Sequence, residues 1–152
     1  APDEGGFGPL PAWRGEVVWP RWAHVPGTGG RPDRAPLEAA KRLVRKPMRA
    51  EAWESDEAYR HGAALCVNGF FWEAHEVWEA VWMACPPNSR EQRLLRALIQ
   101  LANAGLKLRM GRPQAATRLL NEVRSLLADL DAVGANRTFM GVPVHALASH
   151  IE

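Results

Sequence analysis

Cysteine is scarce in this chain, and its scarcity sets the first constraint. Cys66 and Cys85 are the only two in 152 residues and lack CxxC spacing, so neither a disulfide framework nor a thiolate zinc site is expected. Charge of one sign is also lacking. Nineteen Lys and Arg against 17 Asp and Glu leave a net +2, too little by itself to mark a nucleic-acid or membrane binder. No apolar run approaches the roughly 20 residues of a membrane span, and the N-terminal stretch has no apolar signal-peptide core. No glycine-rich phosphate loop follows a strand-like segment. Ser55, Ser89, Ser125 and Ser149 occur in no elbow or triad-like setting, and Cys85 beside Pro86 and Pro87 reads as a helix end rather than an activated thiol. A reduced, cytoplasmic setting with no membrane partner is the expectation, and a nucleic-acid partner is not expected.

Tryptophan, by contrast, is abundant. Seven in one small domain demand burial, or a surface that grips something. Three of them fall in the stretch Phe70 to Trp82, which holds five aromatics, three carboxylates and a histidine with no glycine or proline. At about 100° per residue, Phe71, Trp72, His75, Trp78, Glu79 and Trp82 share one broad sector, while Phe70, Ala74, Val77 and Val81 cover the opposite side. A helix apolar nearly all round belongs at the centre of a bundle. Glu73, Glu76 and Glu79 interrupt it as an i, i+3, i+6 stripe, and buried carboxylates need partners.

The remainder reads as helices around that centre. Residues 1–47 hold eight of the 12 prolines and seven of the 13 glycines, yet also Phe7, Trp13, Val17, Val18, Trp19 and Trp22. A tail free in solvent has no use for such aromatics, so residues 1–54 are read as an extended arm wrapped over the bundle, with a short helix at Pro36–Val44. The core is placed at 55–133. Its first helix is capped by Ser55 or Asp56 and stops at Asn68-Gly69; the central helix stops at Cys85-Pro86-Pro87; Ser89 with Gln92 suits a capping box for the next. Gly111-Arg112-Pro113 is a break, Leu119 to Leu130 repeats with helical period, and Gly134 is a plausible stop. The tail 134–152 is expected to pack on the bundle with a helical turn or two. No strand pair is convincing. The fold class is all-α: one compact bundle of four to five helices with an N-terminal arm.

Spacing then tests the chemistry. His75-Glu76-Val77-Trp78-Glu79 is H-E-x-x-H with glutamate for the second histidine, and His75 and Glu79 at i, i+4 can reach one divalent ion. The Glu-x-x-His repeat of di-iron bundles fails, because position 72 is tryptophan, and His24, His61, His145 and His150 form no ligand-like pair. A buried His75–Glu79 hydrogen bond without metal is therefore favoured. Gln100 and Asn103 share a helix face with Arg93, Arg96 and Lys107. That face is either solvated or turned to the central helix, where Gln100 would bond His75 or Glu79 and the cations would answer the glutamate stripe. Arg42, Arg45, Lys46 and Arg49 cluster near Trp53; a solvated or acid-paired patch is favoured over an RNA contact.

The run Asn68 to Trp82 resembles the signature of the domain-of-unknown-function family numbered 309, and the likeness continues in Ala97 to Ala104, Met110 to Pro113 and Leu119-Leu120. It spans roughly residues 56 to 130. The arm from Trp19 to Gly27 is similar to the N-terminal extension of proteobacterial members. The resemblance implies a compact helical bundle found in bacteria and archaea, with no established activity, and it transfers no catalytic role. It does single out His75, Glu76, Glu79 and Gln100 as motif positions.

Two functional readings follow. The preferred one is a non-enzymatic module, with a buried polar centre (His75, Glu76, Glu79, Gln100, Asn103) lined by Phe71, Trp72, Trp78 and Trp82, that binds a protein partner or a second copy. The alternative is a small-molecule or divalent-metal site, hydrolytic in character, with His75 and Glu79 as ligands. No cofactor is expected under the first reading, a divalent metal under the second. An open cleft beside His75 would favour the second; a closed hydrogen bond, the first.

Overall fold

The computed structural model describes residues 19–131 and 138–151. It is all-α, as expected: the described residues form α1 (Arg34–Lys41), a 3-10 helix (Ala50–Ser55), α2 (Glu57–Val67), α3 (Phe71–Met83), α4 (Arg90–Arg109), α5 (Pro113–Asp131) and α6 (Val144–Ile151). The four longest pack in chain order, α2 on α3, α3 on α4 and α4 on α5, with α6 against α5 and α1 against α3.

Local chemistry sets these boundaries. The Asp56 carboxylate accepts the Tyr59 N–H at 3.0 Å and starts α2; the Ser89 hydroxyl accepts the Gln92 N–H at 3.1 Å and starts α4. The side chain of Gln92 reaches back to the Asn88 N–H, one residue earlier than a capping box requires. α2 and α4 end alike. Gly69 (φ 87°) and Gly111 (φ 72°) adopt the left-handed conformation, and paired bonds (Gly69 N to Cys66 O with Phe70 N to Leu65 O; Gly111 N to Leu108 O with Arg112 N to Lys107 O) close Schellman turns. Each turn reverses the chain within a few residues, which makes consecutive helices neighbours.

The core is aliphatic with aromatic plugs. Leu94, Leu95, Leu98 and Leu101 of α4 meet Phe71, Val77, Trp78 and Val81 of α3, and Val123, Leu127 and Leu130 of α5 close the far side. Each such side chain contributes about 1.5–3 kcal/mol by leaving water. Glycines permit the close approaches of rings to backbone: Phe71 lies over Gly105, Trp78 over Gly62 and Trp53 over Gly141.

The short helix expected at Pro36–Val44 is α1, and the helical turns expected in the tail are α6; the 3-10 helix, too short for a period to show, has no counterpart among the expected elements. A strand pair does exist, though of two residues each: Thr138–Phe139 (β1) pairs antiparallel with Val142–Pro143 (β2). Its turn residues Met140 (φ 51°) and Gly141 (φ 77°) are both left-handed, and the sequence Met-Gly lacks the Asn or Asp that advertises such a turn. The hairpin is tied to α2 by the buried Tyr59 hydroxyl, which donates to the Met140 carbonyl at 2.7 Å.

The arm is described only from Trp19 onward, so Phe7, Trp13, Val17 and Val18 lie outside the described residues. Trp19 stacks on Phe70 with centroids 5.6 Å apart, and the His24 N–H donates to the Glu73 carboxylate at 2.9 Å. Trp22 departs from the expectation of aromatics pressed into grooves: it is 44% exposed. Its indole N–H bonds the Arg31 carbonyl at 2.6 Å, which fixes the ring at the surface. Gly134 lies outside the described residues.

Candidate functional site

α3 presents two polar faces, and only one of them is buried. Glu73 is the buried carboxylate, on the face covered by the arm. Burial pushes its pKa up, while the His24 N–H and the more distant Arg109 pull it back down. Its Oε2 accepts the His24 N–H, and its Oε1 has no hydrogen-bond partner among the described residues. A single backbone donor from 49 residues earlier in the chain thus anchors the arm at this carboxylate.

The other face carries His75, Glu76 and Glu79. The expectation of a buried pair does not hold: their side chains are 19%, 24% and 52% exposed. One turn of helix places the His75 Nε2 3.1 Å from Glu79 Oε2, and the adjacent Glu76 Oε2 lies 3.6 Å away. The other ring nitrogen, Nδ1, sits 3.1 Å from the Trp72 carbonyl. A carbonyl only accepts, so this contact is a hydrogen bond in the tautomer with the proton on Nδ1, and Nε2 then faces two carboxylates. In that tautomer the Nε2 lone pair and the carboxylate oxygens can all ligate a shared cation; in the other, Nε2–H donates directly to Glu79. Glu76 also bridges outward, its Oε1 accepting from Lys41 Nζ of α1 at 3.1 Å. With His75 neutral, Glu76, Glu79 and Lys41 sum to one negative charge.

This is the group of three metal-capable residues found among the described residues, with one donor atom from each lying within 4.8 Å of the others. For comparison, two ligands bound tetrahedrally at about 2.1 Å lie about 3.4 Å apart. The two measured separations from Nε2 bracket that value.

The remaining sequence candidates go elsewhere. Gln100 does not reach His75 or Glu79; its amide donates to Glu122 of α5 at 3.2 and 3.3 Å, and Asn103 donates to the Gln100 Oε1 at 3.0 Å. Arg96 joins the same Glu122, and Arg93 pairs with Asp129. The polar face of α4 therefore serves the α4–α5 seam, where α5 supplies acidic partners that α3 would have had to bring. Phe71 and Trp78 line the core rather than the polar site. Phe71 packs on Gly105 beneath Arg109, whereas Trp78 lies on Gly62 and donates to the Tyr59 carbonyl at 3.0 Å. Trp72 does border the cluster, edge-on to both His75 and His24. Trp82 borders a separate open groove of about 390 Å³, with Ser89, Gln92, Arg93, Arg96 and Leu126.

Sequence reasoning missed Lys41, His24 and the distinct role of Glu73. Lys41 ends a short amphipathic helix, a position from which a cation can reach a neighbouring element; nothing local marked His24. Neither cysteine offers chemistry. Burial raises both thiols, Cys85 to about 12, and holds them protonated.

A helical bundle whose central helix begins in aromatics and carries a His-Glu-x-x-Glu cluster defines the class of this protein. Residues 59–119 match the family model described as "Domain of unknown function (DUF309)". Neither a curated protein nor a solved structure matches the chain. No helix among the described residues is long and apolar enough to cross a membrane.

Proposed function

We propose that the domain binds a divalent cation through His75 Nε2 and the carboxylates of Glu79 and Glu76. The observation that supports this reading is the orientation of His75. Its Nδ1 lies 3.1 Å from the Trp72 carbonyl, the kind of outer contact that fixes a metal-binding imidazole, and its Nε2 is aimed at the carboxylates of Glu79, half exposed, and Glu76. Three protein donors leave coordination positions for water or a small anionic ligand, and Lys41 stands next to them.

Thermal unfolding in Zn²⁺, Mn²⁺ or Ni²⁺ tests it. Wild type gains stability that grows with ion concentration, by about 2.7 kcal/mol at 100 times Kd, and H75A or E79A abolishes the gain. K41A frees the Glu76 carboxylate and tightens binding. Wild type indifferent to all three ions would mean that a proton, not a metal, joins His75 to Glu79.

A second reading, a binding module for protein, is favoured by Met83, which is 69% exposed beyond the cluster on α3, and by the Trp82 groove beside it. If this face pairs with a second copy, sedimentation mass rises with concentration, and M83D returns the chain to monomer. A monomer at every concentration sinks self-association.

A further inference from the structure

We propose that a basic ridge on the arm and α1, from Trp22 and Arg34 to Arg42, Lys46 and Arg49, binds the phosphate backbone of a single-stranded nucleic acid. The ridge goes beyond the cation site and does not depend on it. Between Glu38 and Glu51 the chain has no acidic residue, while Lys41, Arg42, Arg45, Lys46 and Arg49 supply five cations. Lys41 is engaged by Glu76, and Arg45 acts on Asp56, whose carboxylate it favours. Arg31, Arg34, Arg42, Lys46 and Arg49 are exposed and form no ion pair among the described residues. The contrast with α4 is direct, since there Arg93 and Arg96 are neutralised by Asp129 and Glu122.

The fold sets Arg34, Arg42, Lys46 and Arg49 on exposed positions of α1 and the segment after it, with exposed Glu38 between Arg34 and Arg42. Leu37 and Ala40 point α1 into the core, which turns Arg34 and Arg42 outward across about 12 Å of helix. Met48 is buried and its N–H is tied to the Ala84 carbonyl at 2.8 Å, which fixes the segment carrying Arg45, Lys46 and Arg49. At the other end Trp22 is nearly half exposed, oriented by its bond to the Arg31 carbonyl, with the Arg21 guanidinium 4.9 Å from the ring centroid. Arg21 is itself paired with Asp33, so the phosphate contacts fall to the cations that form no ion pair among the described residues. An exposed indole together with such cations is the equipment of single-strand binding, in which an unstacked base lies on an aromatic ring while phosphates meet guanidinium groups. Arginine predominates over lysine, and its planar fork suits phosphate oxygens. A lipid surface fits less well. The apolar face of α1 is used up by the core, and Leu43, 39% exposed, is the large aliphatic side chain the ridge offers to a membrane.

Fluorescence anisotropy of the full chain with labelled oligo-uridine between 50 and 200 mM salt tests the proposal. Four neutralised phosphates give a slope of about −3 in log K against log salt, from roughly 0.7 per single-strand contact. R42A/K46A/R49A weakens binding at least tenfold at 50 mM salt and flattens the slope by about 2. W22A weakens binding about tenfold with the slope unchanged. R112A/R118A, at the turn before α5 and in its second turn, changes neither. Glutamine at the same three ridge positions gives the same readout should the alanine variant not fold. Absence of binding at 50 mM salt overturns the proposal, as does equal sensitivity to R112A/R118A. So does poly-glutamate competing as well as the oligonucleotide, or ridge-dependent binding to phosphatidylserine vesicles without binding to RNA.

Discussion

Trp78 and Gly62 occupy one space. A Cβ at Gly62 would come 2.4 Å from the Trp78 Nε1 and 2.5 Å from Cδ1. The ring cannot simply retreat, because the same Nε1 is bonded to the Tyr59 carbonyl at 3.0 Å and the whole side chain is buried.

That contact reverses a familiar sign. In an exposed helix, glycine to alanine gains about 1 kcal/mol. Here G62A is expected to cost about 1–3 kcal/mol by overpacking. Urea unfolding measures it, and the penalty should shrink in a W78F background, where a smaller ring leaves room. Additive effects of the two substitutions would show that they do not share the space.

Asp56 gives a pH dependence of defined sign. Burial raises its carboxyl above the usual value of 3.8, with the Tyr59 N–H and Arg45 opposing. Its contribution to stability is therefore fully present below about 3.8 and is lost as pH rises through the raised value. D56N keeps an oxygen for the Tyr59 N–H and carries no charge. Its stability relative to wild type should rise between pH 4 and pH 7, whereas D56A should lose about 1 kcal/mol with the cap. A D56N–wild-type difference that is flat across this range would refute the account.

The Tyr59 hydroxyl is the polar link between α2 and the hairpin. Y59F keeps the ring and strands a buried carbonyl at Met140, so a loss of about 1–3 kcal/mol is expected in chemical denaturation. Hydrogen exchange should quicken in β1 and β2 first. Unchanged exchange there would mean that the hairpin is held by packing alone.

Much of the fold was legible because its determinants are local. Asp56, Ser89, Gly69 and Gly111 act within a few residues of themselves, and the helices between them follow. The His75–Glu79 approach was legible for the same reason, since both lie on one turn. Its exposure was not, because periodicity around α3 gives the faces without naming what covers them. Gln100 illustrates the same limit. Its face could have met α3 or α5, and Glu122, 22 residues on, decided it. Glu73 and Glu76 were visible as a stripe, but one is served by the arm and the other by α1, both distant in sequence.

The arm's hold on Glu73 and the hairpin's hold on Tyr59 bear on what a minimal fragment could do. The family match runs from 59 to 119 and stops partway along α5, before Val123, Leu127 and Leu130, which seal the core. A chain trimmed to those residues would begin at the very tyrosine whose hydroxyl needs Met140, and would leave Glu73 buried without its donor. What is recognisable in this protein is thus smaller than what must be inherited together. Insertions that separate the arm or the hairpin from the bundle should be selected against even though neither lies within the matched segment.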